Sequence, residues 1–117
     1  MEHLASQNDI LIIAAAGGAQ SRHLVSRQVL EALGKNGVVI NVARGTVVDE
    51  TALTELLVEG KLAGAGLDVF EEEPRLAKAL LGLESVVLQP HLGSATIQTR
   101  QAMAQIVIDA VLGYFKL

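Results

Sequence analysis

The sequence predicts an α/β protein of about four parallel strands with helices between them. Three observations point there. The runs "DILIIAA", "GVVINV", "AGAGLDVF" and "SVVLQ" are short, apolar and rich in Ile and Val, as expected of strands in a parallel sheet. Segments with apolar residues at helical spacing lie between them. The connections are short, and such alternation builds βαβ units.

The first strand lies around Ile10–Ala14, between Asp9 and the Gly17-Gly18 pair, and reads as buried on both faces. Ser26 can cap the helix "RQVLEAL", in which Val29, Leu30 and Leu33 fall at helical spacing and which Gly34 stops. "GVVINV" is the second strand. Asp49 caps "ETALTELLVEG", with Leu53, Leu56 and Leu57 on one face and Gly60 at the stop. "AGAGLDVF" is the third strand, its small residues suited to close helix-on-sheet contact. After "EEEP" a short helix, "LAKALLG", precedes the fourth strand, which Pro90 ends. Thr96 opens a long final helix whose apolar positions include Ala102, Ile106, Ala110 and Leu112.

Right-handed crossovers between strands adjacent in sequence place their helices on one face of the sheet. The other face reads as equally apolar. Only the N-terminal turn and the final helix remain to cover it, so a further partner is expected there.

At 117 residues the chain is expected to be a single domain spanning 1–117. Half its residues are hydrophobic, with a mean hydropathy of +0.41, which excludes disorder. A net charge of -4 gives no basic footprint for nucleic acid. The absence of cysteine rules out disulfides, thiolate metal sites and cysteine nucleophiles. The longest apolar run, Ile10 to Ala16, is too short to span a bilayer, and Met1 to Asn8 does not read as a signal peptide. A cytoplasmic protein without membrane partners is expected. His3 and His23 lack partners at metal-ligand spacing, so no metal site is expected.

Ligands of open α/β sheets bind beyond the carboxyl ends of the strands. Those ends carry Gly17-Gly18, Ala43-Arg44-Gly45, Asp68 with Glu73, and His91. Neighbouring strands lie about 4.8 Å apart, so these side chains can converge on one small ligand. An arginine fork binds a carboxylate in two places. A histidine backed by a carboxylate suits proton transfer near neutral pH. Taken singly, each has a plainer reading. An arginine after a strand is commonly a solvated loop residue, and Asp68 can simply satisfy nearby backbone amides. Glu71 and Glu72 read as a solvated acidic patch.

Together, "NVARGTVVDETAL", "AGAGLDVFEEEP" and "VVLQPHLGSATIQTR" resemble three consecutive signatures of the D-2-hydroxyacid dehydrogenases, in particular the hydroxypyruvate/glyoxylate reductase branch. The resemblance is collinear over nearly the whole chain. It implies half of a Rossmann-like, doubly wound fold, namely the second half of the NAD(P)-binding domain. It implies that Arg44 binds the carboxylate and carbonyl of a 2-keto acid. His91 would protonate the carbonyl oxygen as hydride arrives from NAD or NADP, and Glu73 would hydrogen-bond His91. Asp68 would contact the nicotinamide carboxamide, with Val42, Ala43, Gly93 and Ser94 lining that side of the cofactor. Gly17-Gly18 is either a loop flanking the cofactor ribose or a plain turn.

The glycine-rich pyrophosphate loop and the substrate domain of the family have no counterpart in this sequence. Two readings follow. The first is a dehydrogenase segment that carries the Arg-Glu-His residues, is inactive alone and holds no cofactor tightly. The second is a non-catalytic, self-associating half-domain, excised or engineered to stand alone. Both expect a homodimer, through the free edge of the first strand or through the uncovered face.

Overall fold

A computed structural model describes residues 1–116. Its centre is a four-stranded, wholly parallel sheet in the order β1-β2-β3-β4, with β1 Ile10–Ile13, β2 Val38–Asn41, β3 Gly64–Leu67 and β4 Val86–Leu88. Four helices accompany it: α1 Glu2–Ala5, α2 Arg27–Leu33, α3 Glu50–Val58 and α4 Ile97–Phe115. All four strands and the three main helices lie where the residue pattern puts them.

Strand order equals chain order, so the right-handed crossovers stack α2 and α3 side by side on one face. Period-two alternation sends Leu11, Ile13, Val39, Ala65 and Leu67 under those helices, where they pack with Val29, Leu30, Leu33, Leu53, Leu56 and Leu57. The register aligns these residues in two rows across the sheet, Leu11–Val39–Ala65–Val86 and Ile13–Asn41–Leu67–Leu88.

The local ends follow their chemistry with one exception. Asp49 accepts the Ala52 N–H at 3.0 Å, capping α3. At its other end Gly60 is left-handed, Lys61 N–H reaches Leu56 O and Gly60 N–H reaches Leu57 O, a Schellman closure. Thr96 accepts the Thr99 N–H to open α4. Ser26 occupies the N-cap of α2 with extended backbone, yet its hydroxyl makes no capping bond.

Three expectations are corrected. β1 is not buried on both faces: Ile10 and Ile12 are 58% and 65% exposed. Neither helix reserved for that open face covers it. The N-terminal turn, α1, packs on α2, and α4 extends away with no buried residue. "LAKALLG" forms a 3-10 segment, Lys78–Gly82, instead of an α-helix. Only Leu80 of that segment is buried, too little apolar contact to sustain successive α-turns.

Candidate active site

The carboxyl ends of the strands open into a cleft of about 580 Å³ lined by Gly17, Gly18, Arg44, Gly45, Thr46, Phe70, His91 and the acidic run Glu71–Glu73. Arg44, Glu73 and His91 therefore share one cleft, although 29 residues separate the first two in sequence and 18 the last two. The turn after β2 delivers Arg44, three residues beyond the end of the strand. The loop after β3 delivers Glu73, and the loop after β4 delivers His91.

His91 Nδ1 lies 2.8 Å from Glu73 Oε2. With the carboxylate accepting the Nδ1 proton, the ring is oriented and Nε2 is left without a hydrogen-bond partner among the described residues. Glu73 Oε1 accepts the Phe70 N–H at 3.0 Å, so both carboxylate oxygens are engaged. These contacts hold the Glu73 carboxyl below the ordinary glutamate pKa. The His91 hydrogen bond is the largest cause, followed by the Phe70 amide, and the Arg44 charge adds a smaller push in the same direction. The Glu73–Pro74 peptide is cis.

His91 itself has φ of 57°, a left-handed conformation unusual for a residue with a side chain. Asp68 fastens the loop that follows: its Oδ1 accepts Leu92 N–H at 2.8 Å and its Oδ2 accepts Gly93 N–H at 2.9 Å. The plainer reading of Asp68, a carboxylate that satisfies backbone amides, is the arrangement observed.

The arginine loop and the acidic loop meet at Gly45. A Cβ there would fall 1.9 Å from the Phe70 carbonyl carbon, so only glycine permits the contact. Gly17 plays a similar part beneath Arg44, where a Cβ would fall 2.6 Å from Arg44 Cγ.

The remaining predicted positions divide. Val42 is exposed on the open side of the sheet, whereas the Ala43 side chain turns into the core, which leaves only its backbone to line a crevice. Gly93 and Ser94 are exposed on the His91 loop. Two residues that the sequence reading did not single out contribute. Glu50, the first residue of α3, accepts the Glu71 N–H at 2.8 Å and so ties down the acidic loop. Asn41 ends β2 buried under the arginine turn. A lone amide inside "VVINV" was the available signal for it.

A second cleft, of about 680 Å³, lies between the loop before α2, the first turns of α3 and the acidic loop, lined by Arg22, His23, Glu50, Glu55, Glu71 and Arg75 among others. Its charges are largely paired, Arg22 and His23 both with Glu71, and it lacks Arg44, Glu73 and His91. Among the described residues no group of three His, Asp or Glu side chains is arranged to hold a metal ion, and no helix is long and apolar enough to cross a membrane.

Residues 1–93 match the family described as "D-isomer specific 2-hydroxyacid dehydrogenase, NAD binding domain". The chain is 50% identical over 115 residues to a 2-ketogluconate reductase of Gluconobacter oxydans, a match covering 98% of the chain and 37% of that protein. It is 52% identical over 112 residues to a glyoxylate/hydroxypyruvate reductase A of Arabidopsis thaliana, covering 96% and 36%. Among solved structures, it superposes with a TM-score of 0.93 on an NADPH-dependent glyoxylate/hydroxypyruvate reductase of Sinorhizobium meliloti in complex with NADP and malonate. That pair is 46% identical over 97% of this chain and 36% of the other. The chain thus spans a little over a third of the length of these relatives.

Proposed function

Because the chain belongs to the D-isomer specific 2-hydroxyacid dehydrogenases, we propose that Arg44, Glu73 and His91 are the anion-binding and proton-transfer residues of a 2-keto acid reductase. The substrates are small acids of the glyoxylate or hydroxypyruvate kind. The observation that carries this reading is the His91–Glu73 pair at 2.8 Å in the same cleft as Arg44.

Each residue has a task in that chemistry. Arg44 pairs with the substrate carboxylate through its guanidinium fork. His91 gives its Nε2 proton to the carbonyl oxygen as that oxygen gains negative charge. Glu73 accepts the Nδ1 proton and keeps the ring oriented, so that Nε2 is the nitrogen turned to the substrate. NAD(P)H, when bound, would supply the hydride for the carbonyl carbon. The residues present fit the nicotinamide end of such a cofactor: Val42 and the Gly17-Gly18 turn are exposed beside the cleft and carry no bulky polar group. Asp68, with both oxygens already bonded to backbone amides, holds the His91 loop in place first and foremost.

The sequence contains no G-x-G-x-x-G loop for a pyrophosphate. The chain by itself is therefore expected to bind NAD(P)H weakly and to reduce glyoxylate negligibly. NADPH fluorescence titration measures the first expectation. Turnover well above that of an Arg44→Ala control would overturn the second. The site reading has its own test, since glyoxylate titrated into the labelled chain should shift the Arg44 and His91 resonances together. A His91 shift that persists unchanged in Arg44→Ala would sink it.

A second reading, self-association, is favoured by one specific observation: β1 is an edge strand whose outer-face residues Ile10 and Ile12 are exposed. A homodimer through that edge or face buries them. Light scattering should show a mass that falls on dilution, and Ile12→Lys should give a monomer. A monomeric wild type at all concentrations would exclude it.

A further inference from the structure

Among the described residues Asn41 is the one polar side chain in the buried set, 1% exposed. It stands in the row Ile13–Asn41–Leu67–Leu88, whose other members are apolar. Burying an amide is unfavourable unless its polar atoms find partners. Asn41 finds them on a single turn: Oδ1 accepts the Ala43 N–H at 3.0 Å, and Nδ2 donates to Arg44 O at 3.0 Å. No side-chain hydrogen bond runs from it to a helix or to a neighbouring strand. A leucine would fill the row without desolvating an amide, so the turn alone accounts for the residue.

That turn ends in Arg44. The guanidinium folds back so that Nη1 donates to Ala43 O at 2.7 Å. Its stem passes over Gly17 with no room for a methyl group between them. The arginine is exposed, and a long exposed side chain samples many rotamers unless its base is fixed. The amide fixes the backbone from beneath, and Gly17 receives the stem.

We propose that Asn41 is a positioning residue of the site: by clamping the Ala43–Arg44 turn it aims the guanidinium at the substrate carboxylate without touching the substrate. The proposal rests on the reading of Arg44 as substrate anchor. Removing the clamp leaves the charge present and disperses its direction, so a two-point contact with a carboxylate is weakened while the fold persists.

The test compares Asn41→Leu with Val39→Ala in the same 117-residue chain. Val39 is fully buried two residues earlier on the same strand, and its truncation lowers stability without touching the turn. Oxalate serves as the probe, titrated into labelled protein and followed at the Arg44 Nε–H signal. Asn41→Leu should weaken oxalate binding about tenfold or more, the loss of one good charge-assisted contact. Val39→Ala should keep it within about twofold, as expected when core packing is lost and the hydrogen bonds of the turn are kept. Unchanged affinity in Asn41→Leu, or equal loss in both variants, overturns the proposal.

Amide exchange at Ala43 gives a readout that needs no ligand. It should accelerate about tenfold or more in Asn41→Leu relative to Val39→Ala at matched global stability, because the N–H loses its acceptor. Equal exchange in the two variants refutes the clamp. If the wild type shows no oxalate-dependent shift at Arg44, the anchor reading is the one that fails, and the exchange comparison decides the clamp by itself.

Discussion

The two faces of the sheet are built from the same four strands, alternate residues going to each, and they could hardly differ more. On one face α2 and α3 seal Leu11, Ile13, Val39 and Leu67 into a continuous core. On the other, Ile10, Ile12 and Val87 face outward, and nothing among the described residues lies over them. The sequence character of the two sets is nearly identical. The difference therefore arises from topology: consecutive parallel strands joined by right-handed crossovers can recruit helices to one side only. Apolar character marks a surface as fit for burial. Connectivity decides whether the chain itself can bury it.

The largest expected effect sets the two faces against each other. Leu30, fully buried on the covered side, should cost about 2–5 kcal/mol of unfolding free energy when replaced by alanine. At dilutions that keep the chain monomeric, Ile12→Ala on the open side should cost less than about 0.5 kcal/mol, the usual range for surface positions. Urea unfolding of both variants checks this. A comparable loss at Ile12 would mean that a second copy covers the open face, and the loss would then depend on protein concentration.

A smaller effect tests the covered side from within. Asp49→Ala should destabilise by about 1 kcal/mol, because its carboxylate caps α3. Ser26→Ala should change stability by no more than a few tenths, because the equivalent bond on α2 is not made. Equal losses would show that both caps form in solution.

The smallest effect concerns the rim where the faces meet. Glu73 titrates below its ordinary value in the folded chain, so its ionised form stabilises the fold above the unfolded-state pKa. That stability is lost as pH falls through the depressed value. Thermal unfolding of Glu73→Gln should accordingly lose less on acidification than the wild type, within that window alone. Parallel pH profiles for the two proteins would contradict the sign.

Much of this was legible in the residues. Strand order, the one-sided placement of helices, the Asp49 cap and the convergence of Arg44, Glu73 and His91 all follow from period, turn chemistry and the rule that ligands sit at strand ends. The failures have definite causes. Ser26 is the right residue type with the right backbone, yet side-chain rotamer choice is invisible in a sequence. "LAKALLG" has helical composition, but a segment with one buried leucine lacks the packing that sustains an α-helix. Apolar spacing in α4 showed that the helix has a face to bury, and spacing alone does not say against what. A single amide in an apolar strand, as Asn41 is, acquires meaning only once its two partners are located.

The contact through Gly45 has a mechanical consequence. With its backbone against the carbonyl of Phe70, the turn bearing Arg44 cannot swing toward the acidic loop without pushing it. Glu50 anchors that same loop to the first turn of α3 from behind. Arg44 and Glu73, 29 residues apart in sequence, are thus seated on one stiff bracket whose bolt is a residue with no side chain at all, and His91 is fastened to it through Glu73.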